Sequence, residues 1–145
     1  MAVVGAGEAG PGEIDAAEGV GRELAARGAV LVCGGLGGVM EAACRGAKAG
    51  GGATLGILPG LDRSAANEHV DVAVATGLGE ARNALVVRAA DVLVAVGGAY
   101  GTLSEIALAL KTGKRVVGVG SWEIEGVEQA SEPAAAVETA LGGLS

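Results

Sequence analysis

Apolar runs of four to six residues recur along the chain, separated by longer stretches with helical periodicity. Residues 2–5, Ala-Val-Val-Gly, form the first run. Over residues 11–28, Ile14, Ala17, Val20 or Gly21, and Leu24 share one stripe while Glu13, Glu18, Arg22 and Glu23 fall elsewhere, the period of an amphipathic helix. Gly28 is placed as its C-cap. Residues 29–33 are apolar throughout, as a strand covered on both faces should be. A second helix is predicted over residues 39–49, and a third strand over 54–58 that stops at Pro59-Gly60. Residues 61–68 are polar and irregular, a surface loop. Alternation and β-branching predict a fourth strand over 70–75, followed by a helix over about 80–90 and a fifth strand over 91–96. A helix over 102–112, closed by Gly113, leads to a sixth strand over 115–119. Beyond Gly120 the pattern weakens to a loop around Trp122 and a terminal helix over 133–141.

Strands alternating with helices at this spacing predict βαβ units with right-handed crossovers. The expected fold is α/β: three layers, α-β-α, with a mainly parallel sheet of about six or seven strands, and residues 1–145 as one domain. In such sheets ligands bind beyond the carboxyl ends of the strands, where the strand order reverses. Glycine turns follow strands one, two, four and five, so they converge on one edge. Gly5, Gly7, Gly34, Gly35 and Gly37 are therefore expected beside a ligand.

The turn after the fifth strand is the richest in chemistry. Val96-Gly-Gly-Ala-Tyr-Gly-Thr-Leu-Ser-Glu105 joins a strand to a helix start, whose free N–H groups and partial positive charge favour phosphate or carboxylate. Glycine lets the backbone itself approach such a ligand. Two readings of Glu105 stay open. Thr102-Leu-Ser-Glu105 fits the capping-box pattern, in which Glu105 bonds back to the Thr102 N–H. Alternatively Glu105 faces a ligand together with Arg82, which could also be a solvated helix residue or pair with Glu105 structurally. Tyr100 either covers the loop or joins a contact between subunits.

Composition narrows the classes. The 28 glycines cluster at the ends of apolar runs rather than forming a repeat, which argues against a disordered or collagen-like chain. A net charge of −7 speaks against nucleic-acid or anionic-membrane binding by a basic surface. With Tyr100 and Trp122 as the sole aromatics, no base-stacking platform is visible. Charges and glycines interrupt every apolar run before it reaches the length of a membrane span, and the cytoplasm is the expected compartment. Cys33, Cys44 and the lone His69 lack metal-ligand spacing, so no metal is expected and both thiols are read as buried and reduced. Gly5-x-Gly7-x-x-Gly10 matches the dinucleotide fingerprint formally, but the acid that should close the second strand is replaced by Cys33-Gly34-Gly35. No phosphate-binding loop with a Gly-Lys-Ser/Thr ending occurs, nor a nucleophile elbow.

Read with Gly79-Glu-Ala-Arg82-Asn83, the stretch Gly97-Gly98-Ala99-Tyr100-Gly101-Thr102-Leu103-Ser104-Glu105 resembles the Pro-Gly-Gly-x-Gly-Thr-x-x-Glu signature of the LOG (Lonely Guy) family, long mislabelled as possible lysine decarboxylases. Arg82 stands fifteen residues before Gly97, where that family carries its Glu-Arg motif, and Gly34-Gly35-Leu-Gly37-Gly38-Val-Met40 looks like its second glycine motif. Gly97 replaces the signature proline and Ala99 a glycine. The resemblance covers roughly residues 2–120 and is nearest to the short branch sharing this fold with molybdenum-cofactor carrier proteins.

The resemblance implies a Rossmann-like homodimer or higher homo-oligomer with a pocket sized for a nucleoside monophosphate or a molybdenum cofactor. In active members the matching residues hydrolyse the N-glycosidic bond of a nucleoside 5′-monophosphate, with no cofactor required. Carried over, Arg82 and Glu105 would be the catalytic pair, with Gly97, Gly98, Ala99, Tyr100, Gly101 and Thr102 around the phosphate. The alternative it implies is a carrier or sensor that binds without bond cleavage. Lysine decarboxylation is not implied.

Overall fold

The computed structural model describes residues 1–142. Among them runs a parallel sheet in the order β4-β3-β2-β1-β5-β6-β7. Its strands are β1 (Ala2–Gly5), β2 (Leu31–Cys33), β3 (Thr54–Leu58), β4 (Val72–Ala75), β5 (Val92–Val96), β6 (Arg115–Val119) and β7 (Val127–Ala130). The helices are α1 (Pro11–Ala26), α2 (Val39–Ala49), α3 (Arg82–Ala89), α4 (Tyr100–Lys111) and α5 (Pro133–Leu141). The layered α/β expectation is met. From β1 the chain steps outward through β2 and β3 to β4, then returns to pair β5 with the other side of β1. The order therefore reverses between β1 and β5, and a crevice opens beyond Gly5 and Val96.

Residue parity divides the core. Val3, Leu31, Cys33, Val94, Val96 and Val117 point to the layer of α1, α2 and α5. Ala2, Val4, Val32, Leu93, Ala95 and Val116 point to α3 and α4. Every residue of β5 is buried, which is why the central strands read as continuous apolar runs.

The α1–α2 contact is close because two glycines face each other's helix. A Cβ on Gly21 would lie 2.0 Å from the Ala43 carbonyl oxygen, and one on Gly46 would lie 1.9 Å from that of Glu18. With so few aromatics, this near-contact of backbones fills the layer instead of large side chains.

Two helices end where glycine predicts. The N–H groups of Gly28 and Ala29 donate to the carbonyls of Ala25 and Leu24, and those of Gly113 and Lys114 to Leu110 and Ala109. Lys114 also caps a different helix: its Nζ donates to the carbonyls of Val87 (2.6 Å), Arg88 (3.2 Å) and Ala90 (2.6 Å) at the end of α3.

Several boundaries differ from expectation. Strand β7 lies in the stretch read as loop; as an edge strand its Glu128 and Gln129 are exposed, so no apolar run marks it, and Glu128 pairs instead with Arg115 at 3.2 Å. A 3₁₀ turn, Gly79–Ala81, precedes α3 and moves its start to Arg82. A second such turn, Arg63–Ala65, occupies the predicted loop, begun by Asp62, whose carboxylate accepts from the Ser64 N–H. Helix α4 starts two residues earlier than expected, with consequences for the site.

Candidate functional site

The turns after β1, β2, β3, β4 and β5 meet around one cavity of about 660 Å³ at the switch point. Its wall includes Gly5 and Gly7 from the first turn, Gly34 from the second, Arg82 and Asn83 from the start of α3, Ala99 just before α4, and Gly101, Thr102 and Glu105 from α4. Most of the predicted site residues thus come together. Gly35, Gly37, Gly97, Gly98 and Tyr100 do not line the cavity: Gly35 packs over Leu58, Gly97 over the Glu13 carboxylate, and Tyr100 turns outward, 81% exposed.

Gly97 and Gly98 explain the early helix start. Both have positive φ, 55° and 116°, a conformation L side chains rarely adopt, so the chain turns before Ala99 rather than before Thr102. Ala99 then becomes the N-cap, and its carbonyl accepts from the Leu103 N–H at 3.0 Å. Thr102 sits inside the first turn, buried, and no hydrogen bond joins Glu105 to the Thr102 N–H. The capping-box reading is overturned for that reason. The loop is braced from outside: Ser121 Oγ donates to the Gly97 carbonyl at 2.6 Å, and Trp122 Nε1 to that of Ala99 at 3.3 Å.

Freed from capping, Glu105 lies on the cavity wall and is 7% exposed. Burial pushes its carboxyl up to about 7, and the positive charge of Arg82 only partly opposes this. Among the described residues no direct ion pair joins the two, so the structural-pair reading fails as well. Arg82 instead donates from Nη1 to Asn83 Oδ1 and leaves its buried Nε without a partner. Gly34 makes room for it, since a Cβ there would lie 2.7 Å from Arg82 Nη1 and from Met40 Sδ. A buried, unsatisfied guanidinium donor at a cavity wall suits an anion, which a guanidinium can grip through two N–H bonds.

Sequence reasoning missed Asn83, which holds Arg82, and two acids of the wall, Glu8 and Glu80. Glu8 stands within the first glycine turn, where its position could have flagged it. Below the site, Cys33 and Cys44 are buried free thiols 3.5 Å apart. The contact with Cys44 holds the Cys33 thiol below its usual range and pushes that of Cys44 up.

A parallel α/β sheet with its glycine turns, Arg82 and Glu105 gathered at the β1/β5 switch point defines a Rossmann-like fold. The profile of the SLOG cluster4 family matches residues 1–141, and the chain belongs to that family. It is 49% identical over 116 residues to an uncharacterised protein of Archaeoglobus fulgidus, spanning 80% of this chain and 76% of that one. Two solved structures share the fold over nearly their whole length. One is the molybdenum cofactor binding protein of Rippkaea orientalis, with 40% identity, a TM-score of 0.90, and coverage of 95% of this chain and 92% of that one. The other is the Moco carrier protein of Chlamydomonas reinhardtii, with 38% identity, a TM-score of 0.88, and coverage of 99% and 97%. No helix among the described residues is long and apolar enough to cross a membrane.

Proposed function

We propose that this chain binds a phosphate-bearing heterocycle of the molybdenum-cofactor type at the β1/β5 switch point and holds it intact. The observation that carries the reading is Arg82: its guanidinium is set into the cavity wall with a buried Nε that no protein group satisfies. Likeness to the two molybdenum-cofactor proteins supports the same assignment. The phosphate would meet the free N–H groups of the first turn of α4 and Arg82 together. Glu105, with its carboxyl near 7, is partly neutral at physiological pH, which lessens its repulsion of the phosphate. The heterocycle would extend along Gly5, Gly7, Gly34 and Met40, where the wall is mostly backbone and apolar side chain.

Glu105 favours a second reading, hydrolysis of the N-glycosidic bond of a nucleoside 5′-monophosphate. A carboxyl near 7 beside an arginine suits general acid–base work on an oxocarbenium-like transition state.

Titrating the protein with molybdenum cofactor, and separately with a panel of nucleoside 5′-monophosphates, distinguishes the two. A rise in Tm with the cofactor and no free base from any monophosphate is the expected result. Base release that disappears in Glu105→Gln would establish the hydrolase instead, and no Tm shift with any compound would overturn both.

We also propose a homo-oligomer, formed over the face that α3 and α4 leave open. Val72 and Val74 of β4, Leu78 ahead of α3 and Leu85 on α3 are exposed there. Sedimentation that reports a monomer at micromolar concentration would overturn this.

A further inference from the structure

The fold brings Glu41 beside the adjacent pair Glu68 and His69, and one ligand-capable atom from each of the three lies within 4.8 Å of the others. Glu41 is in the first turn of α2, while Glu68 and His69 precede β4. The second segment is pinned rather than loose. Asn67 Nδ2 donates to the carbonyls of Leu36 (2.9 Å) and Gly35 (3.3 Å), and Asn67 Oδ1 accepts from the His69 N–H at 3.0 Å. Thr54 Oγ1 donates to the His69 carbonyl at 2.6 Å. The His69 backbone is thus fixed from both sides, and its imidazole is three-quarters covered, with Nε2 3.6 Å from Glu68 Oε1.

The charges within this cluster do not balance. Two carboxylates converge on one imidazole, and among the described residues neither reaches a lysine or arginine. A small cation between them would turn this repulsion into attraction. The cluster also adjoins the ligand cavity: a Cβ on Gly37 would lie 3.9 Å from Glu41 Oε2 and 3.7 Å from the carbonyl of Gly7, a residue of the wall. That wall carries the acids Glu8 and Glu80, and the partly neutral Glu105, against the single guanidinium of Arg82.

We infer that Glu41, Glu68 and His69 form a site for one divalent transition cation. An imidazole with two carboxylates suits Mn²⁺, Co²⁺ or Zn²⁺, whereas Mg²⁺ and Ca²⁺ favour all-oxygen sets. Binding would draw the three atoms from their present separations, within 4.8 Å of one another, to metal–ligand distances of about 2.0–2.2 Å. Positive charge placed there would offset part of the acidity of the neighbouring wall. The inference rests on the cluster itself and not on the identity of the cavity's ligand.

The test uses tag-free, chelator-treated full-length protein. Titration with Co²⁺ should give one ion per chain, with visible bands of nitrogen–oxygen coordination and a rise in Tm. His69→Ala and Glu41→Gln should each weaken binding roughly tenfold or more. The double variant Cys33→Ser/Cys44→Ser should bind as wild type does. Pulsed electron paramagnetic resonance of the Mn²⁺-loaded wild type should detect a histidine nitrogen, a readout independent of whether any variant folds. No binding at millimolar metal, thiolate charge-transfer bands, or a Mn²⁺ spectrum without nitrogen coupling would each overturn the inference.

Discussion

Between α1 and α2, Gly21 and Gly46 bring two helix backbones into contact; at the carboxyl edge of the sheet, Gly97 and Gly98 bend the chain into the first turn of α4. The first pair are helical, and what matters is the absent side chain. The second pair have positive φ, and what matters is backbone conformation. One residue type thus serves packing in one region and positioning in another, so glycine content alone says nothing about function. The two regions should therefore respond differently to the same substitution.

The largest effect is expected at the helix contact. Gly46→Ala puts a methyl group 1.9 Å from a backbone carbonyl, which only separation of the helices can relieve. We expect a loss of about 3 kcal/mol or more in chemical denaturation, with little change in ligand affinity in the protein that remains folded. Equal losses of stability and affinity would show that the two regions are not separable.

Glu105→Gln comes next and should stabilise. Wild-type Glu105 goes from about 7 in the folded chain to its ordinary 4.5 when unfolded, so the folded state holds the extra proton between those values. Its contribution therefore falls as pH rises from 4.5 to about 7 and is constant above. The difference corresponds to roughly 3 kcal/mol that the variant should regain at pH 8, and the variant should lose this pH dependence. A variant no more stable than wild type at pH 8 would mean that the carboxyl is less buried than the fold implies.

Gly98→Ala should cost about 2 kcal/mol of stability, from a φ of 116° and a Cβ 2.5 Å from the Thr102 side chain. Its loss of ligand affinity should exceed that of Gly46→Ala, the reverse of their order in stability. Tyr100→Ala is the smallest: the ring is exposed and touches Trp122 with centroids 6.2 Å apart, so the change should be about 0.5 kcal/mol or less, seen mainly in Trp122 fluorescence.

The same contrast explains what the sequence made legible. Central strands such as Val92–Val96 are buried on both faces and announce themselves as apolar runs. Val127–Ala130 is an edge strand with exposed Glu128 and Gln129, and nothing local marks it. Arg82 and Glu105 stood out because the glycine turns frame them. Of the two readings left open for Glu105, the capping box fails although Thr102 fits a cap by pattern, because two glycines earlier in the turn decide where the helix begins. The Glu41, Glu68 and His69 cluster was invisible because only the pairing of β3 with β4 and the pinning of Asn67 bring the pieces together.

The most direct measurement is mass spectrometry of the small molecule released when natively purified protein is denatured, made in parallel on wild type and Arg82→Ala. An intact phosphate-bearing heterocycle that leaves wild type and is missing from Arg82→Ala is the result expected of a holder built around that guanidinium. Separated base and sugar phosphate, or the same molecule retained by Arg82→Ala, would contradict it.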